Sequence, residues 1–283
     1  MKNLFRIFVI FSIVAAAACD VIEAPYTETP EPPDPEDTIV RKILIEDFTG
    51  HLCPNCPGAA EKAHMILEAY PGRVIVTAVH ATSTFAGYQP PNYTLDLISP
   101  QSTDLDNYFN VSASGYPKGL INRKEFDGSV IVDPGSWSSL VAQLFLSEPD
   151  ADINVTRTFN SGTSTVDLTA KVDFFKDFSS PVMISAYLTE DSLVGYQKNS
   201  DPAVGLVPEI PDYVFMHVLR GSMNGTWGDT LSATGVTAGT QLSKSLSYTL
   251  TNSTWNKDRM HIVVFIYDAA TLEVIQTEEI RMK

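Results

Sequence analysis

The run DFTGHLCPNCPGAA, from Asp47 to Ala60, holds two of the three cysteines in the chain. Before it, Lys42 to Ile45 (KILI) reads as a buried strand. After it, Ala59, Ala60, Ala63, Ile66, Leu67 and Tyr70 recur at helical spacing. A CxxC therefore stands where a strand turns into a helix. Both sulfurs can approach each other there, and the unpaired N–H groups and positive dipole end of the helix favour a thiolate on Cys53.

This arrangement resembles thioredoxin-like proteins, in which CxxC beside a βαβ pattern reads as a redox motif. Two further positions carry the resemblance. Thioredoxins have a buried acid six residues before the first cysteine, and here Asp47, followed by Phe48, stands six before Cys53. They also have a cis-proline far along the chain that packs against the disulfide. Gly115-Tyr116-Pro117 precedes the strand-like Lys118 to Asn122, so Pro117 is the candidate, with Tyr116 beside it. The resemblance implies that Asp47 lies behind the cysteines and carries protons for Cys56, a role that requires burial and a raised pKa. Read by itself, an acid at a strand end beside Glu46 is equally a solvated one.

With 283 residues and 44% hydrophobic content, the chain has room for two domains with their own cores. The formal charge of −15 argues against nucleic acid as a partner and against electrostatic binding to anionic lipid. Cys19, Cys53 and Cys56 are too few for a disulfide-stapled scaffold.

Residues 1–18 have a basic start (Lys2, Arg6), an apolar run and closing alanines, the three regions of a secretory signal. Cys19 follows Ala16-Ala17-Ala18 directly, which resembles a bacterial lipobox. In that family the cysteine is diacylated and becomes the first residue after cleavage, so the expected membrane partner is reached through lipidated Cys19. Several acyl chains anchor stably where one holds only marginally. Residues 19–38 are rich in proline and acid and cannot form a core; they read as a semi-rigid spacer spanning on the order of 50 Å.

Residues 39–149 follow the thioredoxin order: strand, CxxC, helix, strand (Val74 to Val79), a long loop (Ala81 to Ser99), helix (Thr103 to Phe109), the Pro117 turn, strand, a strand near Gly128 to Val132, and helix (Ser136 to Leu146). The long loop is a candidate lip over the site. His51 and His80 are candidate supporting residues for the cysteines. With Cys53 and Cys56 they number four potential zinc ligands, but zinc sites usually use two closely spaced couples and these histidines form none, so no metal or cofactor is expected.

Residues 150–283 change to strands. Val166, Leu168, Ala170, Val172 and Phe174 alternate with polar residues, and shorter runs recur up to Ile280, which suggests an antiparallel, immunoglobulin-like β-sandwich. HVLRG (His217 to Gly221), NGTWG (Asn224 to Gly228) and the closing VVFIYD strand, together with the lipobox and TGHLCPNCP, resemble the outer-membrane lipoprotein family of Bacteroidetes named for a twenty-eight-kilodalton member. The resemblance implies an α/β thioredoxin-like domain followed by an all-β immunoglobulin-like domain, lipid-anchored at the outer membrane and facing either the periplasm or the exterior. His217, Arg220 and Trp227 carry the family pattern.

Two functions stay open. In thiol-disulfide exchange on extracytoplasmic proteins bearing thiols or disulfides, Cys53 attacks, Cys56 resolves and Pro117 presents the partner backbone. In a binding or adhesion lipoprotein, the Cys53–Cys56 disulfide is structural. Exposure of Cys53 favours the first.

Overall fold

The computed structural model describes residues 39–283. The signal segment, Cys19 and the spacer lie outside the described residues. Ile43–Thr49 (β1) and Val74–His80 (β2) pair in parallel and are buried at every position, as near-continuous apolar strands covered on both faces must be. Lys118–Ile121 (β3) lies antiparallel on the other side of β1. Helices Cys56–Ala69 (α1), Ser83–Ala86 (α2), Pro100–Phe109 (α3) and Trp137–Leu144 (α4) belong to the same stretch. Side chains at Ile43 and Ile45 pack with α1 and α4, while Leu44 and Phe48 face a second core that contains Leu105 of α3.

The antiparallel strands are Ala151–Asn160 (β4), Thr165–Phe174 (β5), Val182–Glu190 (β6), Leu193–Lys198 (β7), Glu209–Phe215 (β8), Val218–Ser222 (β9), Asp229–Ser232 (β10), Gln241–Thr249 (β11), Met260–Asp268 (β12) and Val274–Arg281 (β13). β11-β5-β4 make one sheet whose alternating apolar side chains, Val166 to Phe174, pack on β6 and β12 as a two-sheet sandwich. β7 and β8 form a separate hairpin.

The larger sheet continues past residue 149, where the sequence pattern changes. Its order is β13-β12-β6-β9-β2-β1-β3, with β10 also on β6, so strands of both stretches share it. The seam is narrow: Ala78 pairs with Val218, and the Ala78 N–H donates to the His217 carbonyl at 2.8 Å. The two ends of the sheet also approach each other, since Val274 N–H donates to the Asn122 carbonyl at 2.7 Å. Tyr187, Phe265 and Tyr267 therefore share one core with Phe48, Leu120 and both sulfurs.

Within that core Arg123 is 1% exposed and forks onto Glu46, Nε to Oε2 at 2.8 Å and Nη2 to Oε1 at 2.7 Å. It also donates to Tyr187 Oη at 3.2 Å, and the Phe265 ring lies 5.1 Å from the guanidinium carbon. A charge this deep is tolerated because its partner is bidentate and aromatic faces surround it. The expected strand near Gly128 to Val132 is not formed. Asp127 and Gly128 both take positive φ, which turns the chain, and only isolated bridges (Phe126 with Ser129, Gly119 with Val132) remain.

Candidate functional site: the CPNC turn and its cleft

β1 ends at Thr49, and Gly50 to Asn55 carry the chain over to α1, whose first residue is Cys56. Gly50 is required there. A Cβ would sit 2.1 Å from the Phe85 carbonyl oxygen, which accepts the Leu52 N–H at 2.8 Å. Cys53 and Cys56 are joined by a disulfide with Cα atoms 5.4 Å apart. Neither sulfur-bearing residue is on the surface, each being 1% exposed.

The cover comes from β7 and the residues after it, far along the chain. Gln197 Nε2 donates to the Cys53 carbonyl at 2.9 Å and is 3.3 Å from the Gly50 carbonyl. Lys198 N–H donates to the His51 carbonyl at 2.8 Å and Ser200 N–H to the Pro54 carbonyl at 2.9 Å. The Ser200 hydroxyl adds a contact of 2.7 Å to Asn55 Oδ1. An extended segment of the chain itself thus occupies the backbone acceptors around CPNC. The sequence holds little sign of it beyond the turn-rich connection 199–208 between two short strands.

Asp47 lies on the α1 side of β1 and is 2% exposed. Burial pushes its carboxyl up to about 7, and Oδ1 has no partner among the described residues. His80, at the end of β2, is 1% exposed and held neutral by burial, its pKa pushed down to about 3 despite a long Nδ1–H contact (3.4 Å) to the Ala78 carbonyl. His51 donates Nε2–H to the Gly87 carbonyl at 2.9 Å, and burial lowers its pKa as well. The Tyr116–Pro117 peptide is cis. Tyr116 stacks on Phe85 at 4.3 Å, donates its hydroxyl to Asp106 at 2.8 Å, and belongs to the core that holds the two sulfurs.

The loop from Ala81 to Ser99 is tied down on the His51 side. Tyr93 is 5% exposed, lies 5.4 Å from the His51 ring, and donates to Glu209 at 2.6 Å. Of the residues carrying the family pattern, His217 reaches Asp191, Arg220 pairs with Glu190 at 3.2 Å, and Trp227 packs near Tyr108 and Arg123. Among the described residues no cluster of three or more His, Cys, Asp or Glu side chains forms a metal-ligand set.

A cleft of about 510 Å³ opens beside the disulfide. Asp47, Thr49, Ala78 and His80 form its floor, Cys56 and α1 one wall, and Tyr213 to Met216 of the hairpin the other. Cys56 touches this space and Cys53 does not. Burial and the nearby Asp47 and Glu61 carboxylates push the Tyr213 hydroxyl up to about 12. No described helix is long and apolar enough to cross a membrane.

HBP35 of Porphyromonas gingivalis is similar in fold, with a TM-score of 0.65 at 17% identity over 87% of this chain and 76% of that one. A structural-genomics target from Agrobacterium tumefaciens gives a TM-score of 0.52 at 14% identity, covering 87% of this chain and 96% of its own. At such identities the likeness concerns fold alone. A domain of the outer membrane lipoprotein Omp28 from Porphyromonas gingivalis is 20% identical over 48% of this chain and 89% of its own, with a TM-score of 0.32. No curated protein matches the chain. The family described as outer membrane protein Omp28 matches residues 102–283, well over half of the chain, and the matched stretch begins after the CPNC turn. The chain belongs to the Omp28 family of outer membrane proteins.

Proposed function

We propose that this protein is a lipid-anchored binding protein of the outer membrane in which Cys53–Cys56 is a permanent bridge bracing the cleft. The observation that carries the reading is the cover over Cys53: 1% exposure, with Gln197 and Ser200 hydrogen-bonded to the Cys53 and Pro54 carbonyls and Lys198 to that of His51 just before the CPNC turn. Thiol exchange begins with in-line attack on a sulfur, and the enclosure of Cys53, with Cys56 alone bordering the cleft, supports a bridge that is not attacked. Anchoring would run through Cys19, with the acidic spacer holding residues 39–283 off the lipid in either orientation. Titration of thiols after dithiothreitol treatment of the folded protein tests the bridge. Two thiols appearing only on unfolding supports a permanent brace, and rapid appearance in the folded state overturns it. Acyl labelling lost in Cys19→Ala tests the anchor.

One observation favours thiol-disulfide exchange by a thioredoxin-like unit instead. A buried carboxyl lacking a partner is costly to keep for stability alone, and buried acids with raised pKa values are common at functional sites. Asp47 is such a group. In that reading a substrate thiolate attacks Cys53 Sγ and the Cys56 sulfur leaves, taking its proton from Asp47. A second substrate thiolate then displaces Cys53, so the substrate dithiol is oxidised by two electrons as the bridge is reduced. Pro117 and Tyr116 would bear on the substrate backbone, with His51 and His80 flanking the sulfurs, and the Gln197–Ser200 segment must first leave.

A further inference from the structure

The cleft beside the disulfide combines three features that need not occur together. Its walls are largely apolar: Ala60, Ala63 and Leu67 of α1 face Tyr213, Val214 and Phe215 of β8. Its floor holds two buried polar atoms that lack a hydrogen-bond partner. Asp47 Oδ1 is unpartnered, and because Nδ1 of His80 faces the Ala78 carbonyl, Nε2 carries the lone pair and is also unpartnered. Asp47 stands opposite Ala78 and Thr49 opposite His80, so the two side chains are diagonal neighbours on one face of the β1–β2 pair. Finally, no lysine or arginine lines the space, whereas Glu61 stands at its edge. The nearby guanidinium of Arg220 is already paired with Glu190.

Unpartnered buried acceptors call for a donor, and a carboxylate beside aromatic faces suits a cationic one. An ammonium has three donors and no acceptor, so it brings one donor for each of the two Asp47 oxygens and one for His80 Nε2, and no lone pair of its own. Tyr213 and Phe215, whose rings stand edge to face at 4.8 Å, present a π wall, and Phe215 in turn meets the His80 ring at 5.9 Å. A volume of about 510 Å³ lies within the usual range of about 300–1,000 Å³ for small-molecule sites. We infer that the cleft binds an organic ammonium, a primary amine on a short apolar stem, with its head at Asp47 and His80 and its stem between α1 and β8. The inference rests on the reading of this protein as a binding protein and specifies the class of ligand.

Hexylammonium chloride, titrated calorimetrically into the full chain in a mild nonionic detergent at pH 8, tests it against 1-hexanol and hexanoate. One saturable site that takes the amine at least ten times more tightly than the alcohol, and rejects the carboxylate, is expected. Asp47→Asn should bring the amine down to the level of the alcohol. Ala60→Trp, at a half-buried position on the cleft wall, fills the space while leaving the floor intact, and should abolish binding of both. Equal binding of amine and alcohol, undiminished binding by either variant, or no saturable site overturns the inference. Thiol titration of the same samples separates the two levels. An inert bridge with no amine site sinks only the ligand class, whereas a bridge reduced in the folded protein sinks the reading beneath it.

Discussion

Gln197 Nε2 donates to the carbonyl oxygen of Cys53 at 2.9 Å, tying together two residues 144 positions apart in the chain. Through this contact the β7 strand closes over the CPNC turn, and the first cysteine, which would be the point of attack in an exchange catalyst, is enclosed. Gln197 is itself 2% exposed, so its amide has exchanged water for these carbonyls.

Gln197→Ala should loosen the cover without disturbing either sheet. Removing the amide leaves the Cys53 carbonyl short of a donor, at a typical cost of about 1–3 kcal/mol. The rate at which dithiothreitol reduces the bridge in folded protein should rise by about tenfold or more, as read by thiol titration over time. An unchanged rate would mean that the cover does not depend on this contact.

Stability near Asp47 should carry a pH signature of definite sign. The carboxyl titrates near 3.8 when unfolded and at about 7 when folded, so the folded form binds the extra proton between these values. Its contribution is fully present below 3.8 and is lost as pH rises to about 7, a change of about 4 kcal/mol. His80 works oppositely. It is neutral when folded down to about 3, so its contribution is present above 6.5 and is lost on acidification. Between about 4 and 6.5 the two slopes oppose each other. Asp47→Asn should therefore be stabilised relative to the parent by several kcal/mol more at pH 8 than at pH 4 in urea titrations. Equal differences at the two pH values would show that Asp47 is not buried as described.

The Arg123–Glu46 pair is buried at both ends, at 0% and 1% side-chain exposure. Breaking such a pair leaves one charge uncompensated, at about 3–5 kcal/mol. Glu46→Gln and Arg123→Met should each destabilise by that order. The double variant should lose less than the sum, because the second change removes the orphaned charge. Strict additivity in denaturant titrations would rule out coupling between the two.

Gly50→Ala should be poorly tolerated, since the new methyl carbon would meet backbone, the Phe85 carbonyl oxygen at 2.1 Å, rather than a flexible side chain. A loss of about 1–3 kcal/mol is expected from forced backbone displacement, visible as a lowered Tm. Gly72→Ala, at an open position with φ +70°, provides a contrast in which only backbone strain acts.

Much of the local architecture was legible in the sequence. The KILI strand, the CPNC turn and the following helix are signalled by residues within a few positions of one another, and β5 announced itself by strict alternation from Val166 to Phe174. What escaped depends on long-range pairing. The joining of β2 to β9 hangs on Ala78 and Val218, and neither residue marks itself as a seam. β6 and β12 serve two cores at once, which hides their alternation and conceals that one sheet runs through both stretches. The candidate site was half legible for the same reason. The cysteines, Asp47, His80 and Pro117 are placed by nearby elements, whereas Gln197 and Tyr213 arrive on a hairpin whose short strands give no hint of their destination.

The most direct test of the enclosed bridge is the reduction potential of the Cys53–Cys56 couple, equilibrated against defined glutathione or dithiothreitol buffers. The cover is assembled around the oxidised turn, so a value below about −300 mV, in the range of structural bridges, is predicted. A value between about −120 and −270 mV, where exchange catalysts lie, would contradict it and make the Gln197–Ser200 segment a removable guard over a working redox couple.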